Sequence, residues 1–286
     1  MKRFSIFLLA LVLLGGLVMA QDDDEGIGLT VGLEYGIKNL KEDQADTMYL
    51  KPMFAYSNSS LVEGLDLYAE VAVPFWAKPD FWLGVDVDVA VGYNLGLTDT
   101  STLGFIVESQ TVIPAAKPIY HSSLGSSIFD VSYEDVTSGV IPGVKFTQGI
   151  GFGDLYVQVD VPIWYAYKDL DNPIGLDFTL GLDTEIGFGL KVKELNAIKA
   201  DYFDGFAQYL EVTPSFTFDP IYFEVYVGIP LFEDGINSWG IWIEPWLEVS
   251  IPPVNGLMAY ASVPITNAGA DDDLVVRLKL GVKYSF

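Results

Sequence analysis

The chain has 286 residues, with 39 Asp and Glu against 15 Lys and Arg for a net charge of −24, one histidine and no cysteine. That balance excludes a nucleic-acid binder, which needs basic partners for the phosphates, and it excludes disulfides and thiol chemistry. Half of the residues are hydrophobic and the mean hydropathy is +0.33, which an acidic soluble protein rarely combines, yet after the N-terminal stretch no apolar run reaches the length of a membrane helix.

Residues 1–20 read as a Sec signal peptide. Lys2 and Arg3 form a basic start, Phe4 to Leu14 an apolar core, and Val18-Met19-Ala20 a small-x-small cleavage site, so that residues 21–286 form the mature domain beginning at Gln21. From there the chain alternates apolar and polar residues with period two, the signature of strands with one apolar face. Strands are expected at 27–37, 48–57, 61–75, 82–95, 102–113, 139–150, 154–164, 173–181, 185–193, 206–218, 221–231, 239–251, 256–266 and 274–286. A recurring phrase fixes their direction: LYAEVAVPF at 67–75, LYVQVDVPI at 155–163, IYFEVYVGIPL at 221–231 and LMAYASVPI at 257–265, with Pro74, Pro162, Pro230 and Pro264 near the strand ends. Proline cannot donate to a ladder and belongs there. By the same rule Pro52, Pro214 and Pro245 are awkward inside strands and suggest bulges. A second echo, 95–107 against 180–192, places a turn near Asp183-Thr184.

The connections sort into short ones at 58–60, 96–101, 151–153, 182–184, 219–220 and 252–255, and long ones including 38–47, 114–138 and 194–205. An even strand number, short turns on one side and long loops on the other fit an all-β, transmembrane, antiparallel up-and-down barrel of fourteen strands, with twelve as the alternative. A secreted sandwich is the soluble competitor. Phe75-Trp76, Phe81-Trp82, Trp164-Tyr165 and Trp239 fall near the long loops, and Tyr284 and Phe286 near the short turns, as aromatic girdles would.

The last strand ends in Tyr284-Ser285-Phe286, with both aromatics on the apolar parity. This ending resembles the C-terminal assembly signal of bacterial outer-membrane β-barrels. The resemblance implies insertion by the barrel-assembly machinery with periplasmic chaperones, after Sec export and cleavage following Ala20, into the outer membrane of a diderm bacterium. In size and expected lack of a plug the chain is similar to monomeric porins of the outer membrane protein G kind.

The polar parity is then the lumen face. It carries the carboxylates Glu34, Asp66, Glu70, Asp86, Asp88, Glu108, Asp160, Asp177, Glu211, Glu224, Glu244 and Glu248, and the bases Lys51, Lys145, Lys191, Lys193, Arg277, Lys279 and Lys283. Several bases cluster around the closing seam, which would set a transverse field as in general porins. The acidic excess would concentrate cations, while the plainer role of such groups is cross-strand pairing. Tyr222, Tyr226, Trp242, Trp246, Met258 and Tyr260 also face inward beside Glu224, Glu244 and Glu248; such rings bind sugars or organic cations, or simply narrow a barrel.

No enzyme is expected. The sole histidine stands in His121-Ser122-Ser123, where Leu124, Gly125 and Ser126 replace the residues that follow the serine in outer-membrane phospholipases, and a histidine base near a serine is the least that reaction requires. The acidic runs Asp22–Glu25 and Asp271–Asp273 lack an EF-hand spacing, so no metal and no cofactor is expected. The sequence therefore reads as a passive, cation-preferring porin for small hydrophilic solutes, held in outer-membrane lipid. The competing reading is a closed barrel serving as an adhesin or structural protein through loops 114–138 and 194–205.

Overall fold

The computed structural model describes residues 27–37, 40, 48–76, 82–113, 137–166, 174–199, 202–234, 241–252, 254–268 and 274–286. These residues form one closed antiparallel barrel of fourteen strands. The strands are β1 (Ile27–Ile37), β2 (Met48–Asn58), β3 (Leu65–Ala72, resuming at Phe75–Trp76), β4 (Trp82–Leu83, then Val85–Thr98), β5 (Ser101–Ile113), β6 (Thr137–Gly149) and β7 (Gly153–Asp160, then Ile163–Ala166). They continue as β8 (Ile174–Thr184), β9 (Phe188–Lys199), β10 (Tyr202–Phe218), β11 (Ile221–Asp234), β12 (Ile241–Ser250), β13 (Leu257–Ser262, then Ile265–Ala268) and β14 (Val275–Val276, then Leu278–Ser285). Each pairs with its sequence neighbours, and β14 closes on β1 with Thr30 opposite Ser285 and Ile37 opposite Leu278. Among the described residues no helix is long and apolar enough to cross a membrane.

Closure removes every unpaired edge, and the period-two sequence then sorts side chains without exception along most strands. Val89, Val91, Tyr93, Leu95 and Leu97 of β4, Phe105 and Val107 of β5, and Val144 and Phe146 of β6 all point outward and stay exposed. The alternate positions Asp86, Asp88, Glu108 and Lys145 point inward and are partly covered. The apolar exterior and polar interior are the inverse of a soluble protein, as expected of strands that face lipid.

The proline problem has a structural solution that recurs three times. Val73 donates its N–H to the carbonyl of Pro52 on the preceding strand (2.9 Å), and the carbonyl of Pro74 accepts from Gly84 on the next (2.8 Å). Val161-Pro162 stands in the same relation to Pro142 and Gly175, and Val263-Pro264 to Pro245 and Arg277. Pro74, Pro162 and Pro264 therefore interrupt their strands as expected, and the mid-strand prolines opposite them supply only acceptors, which is all they have. Pro230 departs from the echo: it stays in β11 opposite Tyr209, and the ladder shifts by one residue between Gln208 and Tyr209. Pro214 sits opposite Phe188 at the last rung of the β9–β10 ladder.

Several boundaries differ from expectation; the third strand, expected from 61, begins at Leu65. The turn expected at 182–184 lies three residues later, because β8 runs through Thr184. More telling, the long connection expected at 194–205 is mostly ladder: β9 and β10 stay paired up to Lys199 opposite Tyr202. The physical reason is that Glu194, Asn196 and Gln208, which break the apolar pattern, satisfy one another with hydrogen bonds. Short turns close tightly through glycine. Gly256 has φ of 78°, and its carbonyl accepts from Ser285 N–H at 2.9 Å, a conformation open to few other residues. The expected signal peptide, loop residues 114–136, His121, Trp239 and both acidic runs lie outside the described residues.

Candidate pore wall

Around the seam, from β12 through β14 to β2, the interior is a dense polar lattice. Glu34 of β1 accepts from Tyr49 of β2 and from Tyr260 of β13, each at 2.8 Å. Tyr260 reaches it by lying across β14: Gly281 is opposite both Glu34 and Tyr260, and a Cβ there would sit 2.1 Å from the ring. Tyr49 lies across Gly36 in the same way, and Tyr156 across Gly181. The glycines are thus seats for rings. Trp246 stacks on Tyr260 with centroids 4.8 Å apart and planes 16° apart, and Trp242 meets Tyr226 edge-on at 5.9 Å. Four of the six residues expected to face inward as a group thus pack as two pairs, Trp246 with Tyr260 and Tyr226 with Trp242.

The seam lysines stand in ion pairs. Lys279, 1% exposed, places Nζ 2.9 Å from Glu244 Oε1, which also accepts from Ser262 Oγ at 2.6 Å. Lys283 pairs with Glu248 at 2.7 Å, and Lys51 lies 3.9 Å from Glu34. On β9 and β10, Lys193 Nζ lies 2.9 Å from Glu211 Oε1, an ion-pair distance without hydrogen-bond alignment, since that oxygen counts no hydrogen-bond donor. Lys191 is opposite Gly181 and Glu211. Lys145 lies over the Tyr156 ring, 3.9 Å from its centroid. Arg277 takes its place in the wall by donating its backbone N–H to Pro264. Tyr222 donates to Glu224 at 2.6 Å.

The other sector, β3 to β8, is mostly acidic, and Lys145 on β6 is its one base among the described residues. Glu70 is directly opposite Asp88, Asp86 is two residues along on the same face, Glu108 is one strand further on β5, and Asp160 is directly opposite Asp177. Like charges opposite each other are unfavourable. Neutral donors temper this only in part: Tyr68 donates to Glu70 at 2.5 Å, Gln158 to Asp160 at 3.0 and 2.9 Å, and Asn94 to Asp66 at 2.9 Å. One buried oxygen each of Asp86, Asp88 and Asp177 has no donor among the described residues. No described base forms a salt bridge with Glu70, Asp86, Asp88, Glu108, Asp160 or Asp177. Among the described residues no three His, Cys, Asp or Glu side chains converge to hold a metal ion.

Sequence reasoning placed the carboxylates but passed over Tyr49, Tyr68, Tyr156 and Gln158, which share their parity and hold or flank them. The polar parity alone would have found these residues. Tyr284 and Phe286 lie edge-on to each other, centroids 4.4 Å apart, and the Phe286 N–H donates to Leu29 at 2.9 Å.

No protein-family model matches the chain, and no curated protein matches it in sequence. Solved structures do match. OmpF of Salmonella typhi, in a complex with daunomycin, aligns at 10% identity with a TM-score of 0.51 over 93% of this chain and 99% of that one. The toluene transporter TodX of Pseudomonas putida aligns at 9% identity, with a TM-score of 0.51, 91% coverage of this chain and 90% of that one. CdiB of Acinetobacter baumannii aligns at 10% identity and a TM-score of 0.47, with 92% of this chain spanning 60% of its length. The chain has the fold of outer-membrane porins and channels.

Proposed function

We propose that this chain is a passive outer-membrane channel for small hydrophilic solutes with a preference for cations. The bore supports it. Strands spaced about 4.8 Å apart and tilted about 40° put fourteen of them on a circle about 28 Å across. Two packed sheets need only about 10 Å between them, so facing side-chain layers leave a space that water fills. TodX, which shares the fold, is by description a toluene transporter.

The observation that carries the selectivity is the division of the wall. Around the seam the lysines are matched by carboxylates, while Glu70, Asp86, Asp88, Glu108, Asp160 and Asp177 on β3 to β8 have no base in ion-pair contact among the described residues. The unbalanced half sets the sign of the interior potential, and a cation entering the bore gains what an anion loses. In this reading the protein is exported through Sec, cleaved after Ala20 and inserted by the assembly machinery, which reads Tyr284 and Phe286. The short turns face the periplasm.

Reversal potentials in planar bilayers test the proposal. Potassium should outrun chloride. The preference should shrink between 0.1 M and 1 M salt, as the screening length falls from about 10 Å to about 3 Å. The triple variant D86N/D88N/E108Q should lower the preference without loss of folded protein. Anion preference, or selectivity untouched by those three changes, refutes the assignment of the acidic wall. Absence of conductance from folded protein favours the adhesin or structural reading.

A further inference from the structure

The barrel exterior carries one anomaly. On the outward parity of the strands, among side chains described, Glu194 is the one carboxylate or base. It stands within the apolar band. Val192 is the neighbouring outward residue on β9, Phe178 is opposite on β8 at 41% exposed, Phe232 on β11 is opposite Gln208 on the same line of rungs at 65% exposed, and Ile174 lies further along β8 at 42% exposed. Two amides serve it. Gln208 donates at 2.6 Å from β10, and Asn196 at 3.3 Å, with Asn196 also donating to the Leu176 carbonyl at 2.8 Å. No described base pairs with it. A carboxylate held on a lipid-facing surface is costly, and both neighbouring amides belong to the same outward notch.

Beside the notch is a knob. The ladder shift between Gln208 and Tyr209 leaves Leu231 as an extra residue, and Leu231 and Phe232 both turn outward, 44% and 65% exposed. Bulges commonly re-aim side chains in this way. We propose that the exterior of β8 to β11 is the contact between two copies of this chain, related by a two-fold axis near Gln208. The argument is complementarity. An amide has two N–H donors and an acceptor oxygen. Gln208 uses one donor on Glu194, so its second donor and its oxygen match the same pair on a second Gln208 turned by half a rotation. A two-fold interface requires such a self-complementary patch. Pairing there takes Glu194 out of contact with lipid and lays each Leu231-Phe232 knob against the partner's exterior. A different protein or a lipid headgroup would have to bring its own donors.

The proposal rests on the reading of the chain as a membrane barrel, and its test separates the two. The chain has no cysteine, so an introduced one reports alone. In vesicles under mild oxidation, L210C, the next outward position on β10, should give a covalent species of twice the chain mass at about tenfold the yield of V71C, which lies on the exterior of β3 on the far side of the barrel. Adding E194L to L210C should remove most of that species. Independently, the unsubstituted chain in mild detergent should scatter light as two copies of the mature chain and the E194L variant as one. Equal cross-linking at both positions, a covalent species of any other mass, or a folded single chain overturns the proposal. A folded, conducting single chain overturns it while leaving the channel reading intact.

Discussion

Replacing Lys279 by methionine tests whether the seam wall is a dry structural lattice or a hydrated surface. Lys279 is 1% exposed and Glu244 6% exposed, and their charged atoms are 2.9 Å apart. Methionine keeps the volume of the stem and removes the ammonium. Glu244 keeps Ser262 but loses the Lys279 ammonium. Breaking a buried pair by removing one partner costs about 3–5 kcal/mol, whereas an exposed pair contributes about 0–1 kcal/mol. The double variant K279M/E244Q removes the stranded charge as well and should recover most of the loss. Urea unfolding in lipid vesicles, followed by the change in gel mobility between folded and heat-unfolded protein, measures all four corners of the cycle. A coupling energy of at least about 2 kcal/mol is expected for contacting residues in one network. A coupling below about 0.5 kcal/mol would mean that water reaches the pair, and the wall at the seam would then have to be redrawn as part of the open bore.

Three further outcomes are expected. Y260F leaves the ring on Gly281 but removes its hydroxyl from Glu34; hydrogen bonds to charged groups contribute about 1.5–3 kcal/mol, so the same urea assay should show a loss of that order, and an unchanged midpoint would show that the bond is replaced by water. Deleting Phe286, or the change F286S, should lower the amount of folded protein in the outer membrane while precursor processing continues; unchanged folded levels count against an assembly signal. A protease site inserted near Ser126 or Ala200 should be cut on whole cells and one at Ser59 or Pro220 should not; cleavage at both Ser59 and Ser126 would contradict the orientation of the strands.

Much of the fold was legible because the period-two alternation is local: whether Asp86 and Asp88 face away from Val87 and Val89 depends on nothing beyond the strand that holds them. The strand number was legible because the Val-Pro phrase repeats, and repetition fixes direction as well as count. What was not legible depends on register between strands. That Lys279 meets Glu244, and not Glu34, follows from rungs set by turns and bulges far apart in the chain. That Tyr260 leans across a neighbouring strand follows from Gly281 being opposite it, which no window of sequence contains. The end of β9 was placed too early because Glu194 breaks the apolar parity. A lone polar residue on an outward face reads as a loop until its partners Asn196 and Gln208 are seen beside it.

The three proline pairs also bear on the caliber of the barrel. Pro52, Pro142 and Pro245 each offer an acceptor and no donor to the neighbouring strand, and Val73, Val161 and Val263 each present the donor that fits. Slide any of these hairpins by two residues and a donorless nitrogen faces a carbonyl that has lost its partner, while every side chain keeps its proper face. Hydrophobicity cannot veto that slip; the imino acids can. In a closed barrel the summed stagger of the strands, the shear, determines tilt and radius together with strand number. Residues that stand on no polar wall thereby act as gauge marks, holding the width of the barrel at one value.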